Sequence, residues 1–343
     1  MVRSIRPSTP ADAPAIVALF DETGQSPNAE PQHLHWKYWQ ARADWPGPRS
    51  FVVSNGSELI AHAAVVPGVC VWESRRVRMI QMIDWVARRA EPGAGVALLK
   101  HIGQQVEVLL SIGGGAETRR ILPHVGFKSA GRAWGYVRAL RPSRLLQSDA
   151  IPGWRRWPRF ARSVAWTLAA PTQRTADWAI RRLVGEDIQR ITPVLPVPAR
   201  GMAVLERSVE LFHYVLSCPI VPTALYAVER SGITRGYFLL THAPGQVRLA
   251  DCRMNSEDAA DWRAMILCAI EQAMQDVHAA ELVSVASDPM LGAALEGCGF
   301  HARFEIPVQV RSRSSDSMPP APLRVQMLDS DAFFLHGRDN FWA

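Results

Sequence analysis

The first 142 residues switch repeatedly between the two-residue apolar period of strands and the wider spacing of amphipathic helices. Thr9 opens a helix that Gly24 ends, and a second helix over 32–43 is crowded with aromatic side chains. An Asn-Gly-Ser sequence at 55–57 separates two apolar runs and has the composition of a hairpin turn. The pattern predicts, in chain order, a strand, two helices, three strands, a helix, a strand, a helix and a strand.

Residues 201–312 repeat this order of elements more faintly. A hairpin is followed by a central strand over 246–253, a helix, a strand and another helix. The segment ALEGCGF at 294–300 mirrors ILPHVGF at 121–127. The repetition predicts an α/β protein of two similar domains, 1–142 and 201–312.

The remaining parts of the chain are a connector and a tail. The interval 143–200 is rich in Arg, Trp and Pro, and the prolines at 158 and 171 are expected to interrupt any long helix. One interpretation is an interdomain connector whose tryptophans pack on both domains. The other is a surface helix within 151–190 that lies at a membrane interface or against an anionic partner. The tail, 313–343, begins polar and ends apolar enough to dock back.

Composition narrows the class of protein. With 48% apolar and 20% charged residues, the 343-residue chain is typical of a globular protein long enough for two cores. Its five cysteines are scattered without a CxxC pair, which favours reduced thiols in the cytoplasm over disulfides or a metal site. No apolar run is long enough to span a membrane. The basic residues behind the net charge of +6 are too dispersed for a nucleic-acid surface.

Residues 81–99, QMIDWVARRAEPGAGVALL, combine a buried strand, a glycine-containing turn and the first turns of a helix. The first N–H groups of a helix have no partner within it, and the helix dipole adds roughly half a positive charge there. Such a joint suits a pyrophosphate, and small residues let that ligand approach the main chain closely. The candidate contact residues are Gly93, Ala94, Gly95, Val96 and Ala97.

Five segments within residues 2–142 resemble the GNAT N-acyltransferases, which use acetyl-coenzyme A (acetyl-CoA). They are IRPSTPADAPAIVALF, HWKYW, SELIAHAAVVP, the joint at 81–99 and ILPHVGF. The resemblance implies an α/β fold of two tandem GNAT-like domains, the second degenerate, and metal-free acyl transfer from acetyl-CoA. It also implies that main-chain groups of Val86 and Ala87 hold the pantetheine arm and face the developing oxyanion, while 93–97 bind the pyrophosphate.

The strand–turn–helix joints of the two predicted domains both depart from the family's pattern. Pro92 stands where the family has Arg or Gln. A lost charge-assisted contact costs about 1.5–3 kcal/mol, which weakens coenzyme binding without removing the main-chain cradle. The joint of the second domain has no Gly-x-Gly and carries Glu257, Asp258 and Asp261. Because these carboxylates stabilise the helix N-terminus and repel a pyrophosphate, we expect the second domain to be structural or to close over the acceptor.

Acyl transfer to an amine also needs a proton acceptor. Family members often use a carboxylate on the central strand and a tyrosine before the closing Gly-Phe, but Leu122 occupies the tyrosine position here. Asp84 is the first candidate base, because a charge in an apolar strand needs a partner or a purpose; the alternative is an ion pair or a loop cap. His124 is the second candidate, and its alternative is a surface histidine at a helix C-terminus.

The leading hypothesis is an acyl-CoA-dependent N-acyltransferase with acetyl-CoA as donor and a small-molecule or peptide amine as acceptor. One alternative is a non-catalytic binding or scaffold protein derived from this fold, which Pro92 and Leu122 favour. Another is similarity to peptidyltransferases that take aminoacyl-tRNA, which predicts an Arg-lined groove between the domains. The sequence leaves the oligomeric state open.

Overall fold

The computed structural model describes residues 3–25, 29–146, 151–171, 177–198, 201–320, 322–334 and 342. In these residues one mixed sheet has the order β1-β2-β3-β4-β5-β13-β6-β12-β11-β10-β9-β7, and β8 pairs with β3 and β14. The strands are β1 (Arg3–Pro7), β2 (Ser50–Asn55), β3 (Glu58–Trp72), β4 (Arg75–Ala87), β5 (Val108–Ile112), β6 (Lys128–Ala139), β7 (Trp178–Leu183), β8 (Ala203–Leu205), β9 (Thr223–Arg230), β10 (Ile233–Ala243), β11 (Gln246–Met254), β12 (Glu281–Ala286), β13 (His301–Ser312) and β14 (Leu323–Arg324).

Helices cover both faces of the sheet because successive side chains of its strands point to opposite faces and are apolar on both. In β2, Val52 shares an apolar cluster with Ile16, whereas Phe51 and Val53 share another with Leu98. The helices are α1 (Ala13–Thr23), α2 (Pro31–Leu34), α3 (Ala94–Gly103), α4 (Ala116–Ile121), α5 (Pro142–Leu146), α6 (Gly153–Ala169), α7 (Val209–Leu216), α8 (Ala259–Ala273) and α9 (Pro289–Gly297).

The two halves of the chain exchange their last long strands. β13, from the second half, lies between β5 and β6 of the first half, and β6 in turn pairs with β12. All three pairings are antiparallel. The halves therefore build one continuous sheet in which each supplies a strand to the other. The division into domains 1–142 and 201–312 stays a prediction.

The aromatic helix of the first half contacts its counterpart in the second. α2 continues into the π-helical turn His35–Trp39, and Trp36 is only 1% exposed. Its ring stacks on Tyr214 of α7 with centroids 4.8 Å apart, and its Nε1 donates to the Tyr214 carbonyl at 3.1 Å. The aromatic side chains thus form part of the core between the halves.

Two prolines, Pro67 and Pro158, lie inside regular elements. β3 is one strand that contains Pro67, which is tolerated because β3 pairs with β2 only as far as Ala64. Pro158 lies within α6, so the expectation that it interrupts the helix is wrong. This proline is exposed, and water can reach the carbonyl left without a donor. The interval predicted as a connector also contains β7, which pairs with β9 at the edge of the sheet.

The C-terminal tail returns to the sheet, as its apolar residues predict. β14 pairs with β8, and Leu323, Val325 and Phe333 are buried. Two short 3₁₀ segments follow, Met327–Asp329 and Asp331–Phe333. Residues 321, 335–341 and 343 of the predicted tail lie outside the described residues.

Candidate active site

A cavity opens where two parallel strands diverge. β4 and β5 pair only through Met79–Gln81 and Val108–Leu110, and beyond this point a cavity of about 640 Å³ separates them. It is lined by the end of β4, the glycine loop after β5 and the start of α4. The lining residues are Gln25, Gln81, Met82, Ile83, Asp84, Trp85, Val86, Ala87, Leu99, Leu110, Ser111, Ile112, Gly114, Gly115, Ala116, Glu117, Thr118, Ile121, Leu122, Phe127 and Asp331.

The edge of β4 that faces the cavity has no strand partner in the described part of the chain. From Met82 to Ala87 its other edge pairs with β3, and the register shifts between His62 and Ala64. Asp84 lies at this bulge with φ of 49°, in the left-handed region that few non-glycine residues adopt. An unpaired strand edge offers main-chain N–H and C=O groups to an extended ligand that carries amides.

The N-terminus of α3 lies behind this edge. Gly93 is its N-cap with φ of 83°, and within the described residues the N–H groups of Gly95 and Val96 donate no hydrogen bond. The Trp85 indole covers this end, because its Nε1 donates to the Gly95 carbonyl at 3.0 Å. Of the residues predicted to contact coenzyme, Val86 and Ala87 therefore line the cavity, and 93–97 do not.

Asp84 forms a buried ion pair. Its carboxylate contacts the Lys37 ammonium and accepts a hydrogen bond of 2.7 Å from the Tyr38 hydroxyl. Burial alone would raise the pKa of the Asp84 carboxyl, but the Lys37 charge and both hydrogen bonds outweigh it, so the pKa lies below its usual value. A carboxylate with a lowered pKa is a weak proton acceptor. The alternative role that the sequence indicates for Asp84 is an ion pair with a nearby Arg; the structure shows an ion pair, but its cation is Lys37.

A chain of hydrogen bonds holds the bulge from behind. His62 Nδ1 lies 3.2 Å from the Asp84 carbonyl, and His62 Nε2 lies 2.9 Å from Ser50 Oγ. The Ser8 hydroxyl donates to Ser50 Oγ at 2.6 Å and accepts from Trp39 Nε1 at 3.0 Å. Burial lowers the pKa of His62 to about 4, so its imidazole is neutral at pH 7. The network fixes the main chain of β4 at the point where it meets the cavity.

Asp331, from the C-terminal tail, also lines the cavity. It begins the second 3₁₀ segment of the tail, and Ser330 caps that segment by accepting from the Ala332 N–H. Burial, the largest cause, and the nearby Asp84 charge, the second largest, raise the pKa of Asp331 to about 6. Sequence reasoning missed this residue, because only the path of the tail brings it to the cleft.

The residues at the end of α4 lie apart from each other. Leu122, in the position of the family tyrosine, is buried and lines the cavity. His124 is exposed at the following 3₁₀ turn and is not among the lining residues. Its catalytic role stays a prediction that the geometry does not favour.

The second half has a similar divergence of strands, but the tail fills it. β11 and β12 pair through Gln246–Leu249 and Glu281–Ser284. Beyond them, the Gln326 amide accepts from the Cys252 N–H at 3.0 Å and donates to its carbonyl at 2.9 Å. The Ser287 N–H donates to the Val325 carbonyl at 3.1 Å. The cavity beside Cys252 and Gln326 measures about 40 Å³.

A buried cluster of charges underlies this second cleft. Arg207 donates two hydrogen bonds to the Asp251 carboxylate, at 3.0 and 2.8 Å, and Tyr237 donates a third at 2.8 Å. Arg207 also pairs with Asp329 of the tail at 2.7 Å. Burial raises the pKa of Asp329, although Arg207 opposes the shift. The cluster ties the tail to the second half.

The described residues contain no group of three or more His, Cys, Asp or Glu side chains that would hold a metal ion. All five cysteines are free and buried. Among the described helices, none combines the length and apolar character needed to cross a membrane.

Comparisons with known proteins are informative only at the level of structure, since no family model and no curated protein matches the sequence. A GCN5-related N-acetyltransferase from Anabaena variabilis ATCC 29413 is 11% identical, with a TM-score of 0.59 over 92% of this chain and 74% of that one. A probable N-acyltransferase from Enterococcus faecalis V583 is 12% identical, with a TM-score of 0.58 over 92% and 74%. Saccharomyces cerevisiae N-myristoyltransferase, solved with bound myristoyl-CoA, is 12% identical, with a TM-score of 0.61 over 92% and 82%. The chain therefore has the α/β fold shared by GNAT N-acetyltransferases and N-myristoyltransferases.

Proposed function

We propose that the protein is an N-acyltransferase that moves an acyl group from a coenzyme A thioester, acetyl-CoA first among the candidates, to the amine of a small molecule or peptide. The observation that carries this proposal is the cavity between the diverging ends of β4 and β5, bordered by an unpaired strand edge. Solved proteins with this fold include N-acyltransferases, one of them with bound myristoyl-CoA.

The residues around the cavity fit a coenzyme A thioester. The amides of a pantetheine arm match the unpaired main-chain groups near Val86 and Ala87. The pyrophosphate matches the free N–H groups of Gly95 and Val96, where the dipole of α3 favours negative charge. The Trp85 indole covers these groups, so coenzyme binding on this path requires the ring to turn aside.

Transfer by direct attack needs one proton acceptor and one site for the developing oxyanion. The amine nitrogen bonds to the thioester carbon, the carbon–sulfur bond breaks, and the thiolate leaves with the electron pair. We assign the proton of the amine to Asp331, because a carboxyl with a pKa of about 6 is ionised at pH 7 and is still basic enough to accept it. Asp84, held ionised by Lys37, keeps the bulge in place, and its charge adds to the burial that raises the pKa of Asp331.

Calorimetric titration with acetyl-CoA tests the proposal. Gly95→Glu places a carboxylate at the start of α3, beside a Trp85 ring that a Cβ there would meet at 3.0 Å. We expect it to abolish binding while the fold is kept. Ala260→Glu is the matched control, because Ala260 is the second residue of α8 as Gly95 is of α3. Equal heats from wild type and Gly95→Glu would overturn the assignment of the coenzyme site.

Release of free thiol from acetyl-CoA, measured with a panel of amines, then separates an enzyme from a scaffold. We expect thiol release that depends on the amine. Coenzyme binding without turnover of any amine would favour the non-catalytic alternative. Binding of neither acetyl-CoA nor a longer acyl-CoA would overturn the proposed function.

A further inference from the structure

The helix α6 carries its apolar side chains on the side that faces solvent. Trp154 is 73% exposed, Trp157 68% and Leu168 83%. These residues share one face with Pro158, Ala161 and Ala165, since all six follow the spacing i, i+3, i+4, i+7, i+11 and i+14. A helix on the surface of a globular protein ordinarily turns such a stripe toward the core. The exposed face of α6 contains no polar side chain along this stripe.

The opposite side of α6 attaches the helix to the sheet through mixed contacts. Ser163 is fully buried there, and Trp166 stacks on His301 of β13 with ring centroids 3.9 Å apart. The Arg138 guanidinium of β6 donates to the Pro171 carbonyl, just after the helix, at 2.8 Å. α6 is therefore fixed in its orientation, and its apolar stripe stays outward without depending on a partner.

Arginines flank one side of the stripe, because at 3.6 residues per turn Arg155 and Arg162 lie next to it, whereas Arg156 and Arg159 lie nearer the side of Ser163. Arg155, Arg156, Arg159 and Arg162 are all in α6, and residues 151–171 include no Asp or Glu. The Arg155 guanidinium stacks over the Trp154 ring at 4.4 Å. An apolar strip flanked by arginines matches the boundary between acyl chains and phosphate headgroups, where Trp rings lie and Arg side chains reach the phosphates. The charges select a negative surface over a neutral one.

We propose that α6 is a docking helix that lays Trp154, Trp157 and Leu168 into the surface of an anionic lipid bilayer. The occupant is the lipid surface itself, since the stripe is continuous and the charged side chains of α6 are all of one sign. This interaction is independent of the proposed acyl transfer, because neither the stripe nor its arginines line the cavity.

Co-sedimentation of the whole protein with vesicles tests the proposal. Vesicles of phosphatidylcholine with phosphatidylglycerol are compared with vesicles of phosphatidylcholine alone. We expect binding to the anionic vesicles that weakens with added salt. Replacing Trp154 and Trp157 together by Ser lowers the partition coefficient by about tenfold or more, because two large apolar side chains are removed from the interface. Arg155→Gln lowers it by about fivefold.

The matched control is the double variant Ile233→Ser and Val277→Ser, which removes two side chains that are each 55% exposed elsewhere on the surface. We expect it to bind vesicles like the wild type. The proposal is overturned if the wild type does not bind anionic vesicles at low salt, or if both double variants bind equally. It is also overturned if sedimentation equilibrium shows an oligomer that the Trp154 and Trp157 changes dissociate, since the stripe then pairs copies of the chain.

Discussion

The two halves of the molecule contain the same divergence of parallel strands, yet only one of them leaves a cleft. Between β4 and β5 the cavity measures about 640 Å³, whereas the cavity beside Cys252 and Gln326 in the second half measures about 40 Å³. The difference comes from the tail, because Gln326 satisfies both main-chain groups of Cys252 that would otherwise face a ligand. Diverging strands thus leave a ligand-binding cleft only where the main-chain groups along the strand edge stay unpaired.

The buried polar clusters beside the two clefts also differ in exposure, and the cluster of the open cleft is the more exposed one. Asp84 pairs with Lys37 and keeps 9% of its side chain exposed at the cavity, whereas Asp251 pairs with Arg207 and has none exposed. The tail contributes a carboxylate to each half, Asp329 to the closed cluster and Asp331 to the open cavity. One short segment therefore closes the second cleft and provides the first with an acid of altered pKa.

The largest expected effect concerns the open cleft. Asp331→Asn removes the assigned proton acceptor without changing its shape, and general-base catalysis contributes about 10²–10⁴-fold. We expect kcat/KM to fall by that factor in an acyl-transfer assay. In the wild type, kcat/KM rises with pH until the carboxyl is ionised near pH 6, and this limb is lost in the variant.

Asp329→Asn is the control for that experiment, because it changes the neighbouring tail carboxylate that faces the closed cluster. We expect it to leave the pH profile of kcat/KM in place. A wild-type profile without an inflection near pH 6, or one kept in Asp331→Asn, would remove Asp331 from the mechanism.

The second effect compares the buried cations of the two halves. Arg207→Met leaves Asp251 and Asp329 buried without their cation, which costs about 3–5 kcal/mol in the free energy of unfolding. Lys37→Met costs less, about 1–3 kcal/mol, because Asp84 borders the cavity and keeps the Tyr38 hydrogen bond. Unfolding in denaturant measures both. Equal losses would show that the cavity does not hydrate Asp84.

Sequence patterns predicted the framework of the first half because they report local physics. The alternation in β2 and β4, the turn at 55–57 and the small residues before α3 each act over a few positions. Asp84 also stands out, since a carboxylate in an apolar strand requires a partner. The acids of the second joint behave as expected, because Asp258 caps α8 by accepting from the Ala260 N–H at 2.8 Å.

The features that sequence reasoning missed depend on contacts between distant parts of the chain. The exchange of β6 and β13 leaves no mark on the period of either strand, because the period reports which face of a strand is buried and not which strand lies beside it. Lys37 and Asp331 reach Asp84 only through the packing of the aromatic helix and the tail. Contacts between residues so far apart in the chain cannot be predicted from sequence spacing.

The third effect tests whether the tail alone closes the second cleft. Gln326→Ala leaves the N–H and carbonyl of Cys252 without their partner and costs about 1–3 kcal/mol in the free energy of unfolding. We expect no new binding of acetyl-CoA by calorimetry, because Asp258 and Asp261 still repel a pyrophosphate at the start of α8. Binding of a second equivalent of coenzyme would show that the tail is the whole difference between the clefts.

The smallest expected effect is on stability, because the ionised Asp331 carboxylate lowers the free energy of unfolding of the wild type. Its pKa is about 6 in the folded protein against 3.8 ordinarily, so the native state binds the proton more tightly than the unfolded chain. Wild-type stability therefore falls as the pH rises from about 4 to about 6 and this contribution is constant above that. Asp331→Asn resembles the protonated carboxyl at every pH. We expect it to be more stable than the wild type by about 1–2 kcal/mol at neutral pH, after a discount for partial exposure, and equally stable below about pH 4. Denaturant unfolding of both proteins across this range measures the difference, and a variant less stable than the wild type at pH 7 would mean that Asp331 has an ion-pair partner in the folded state.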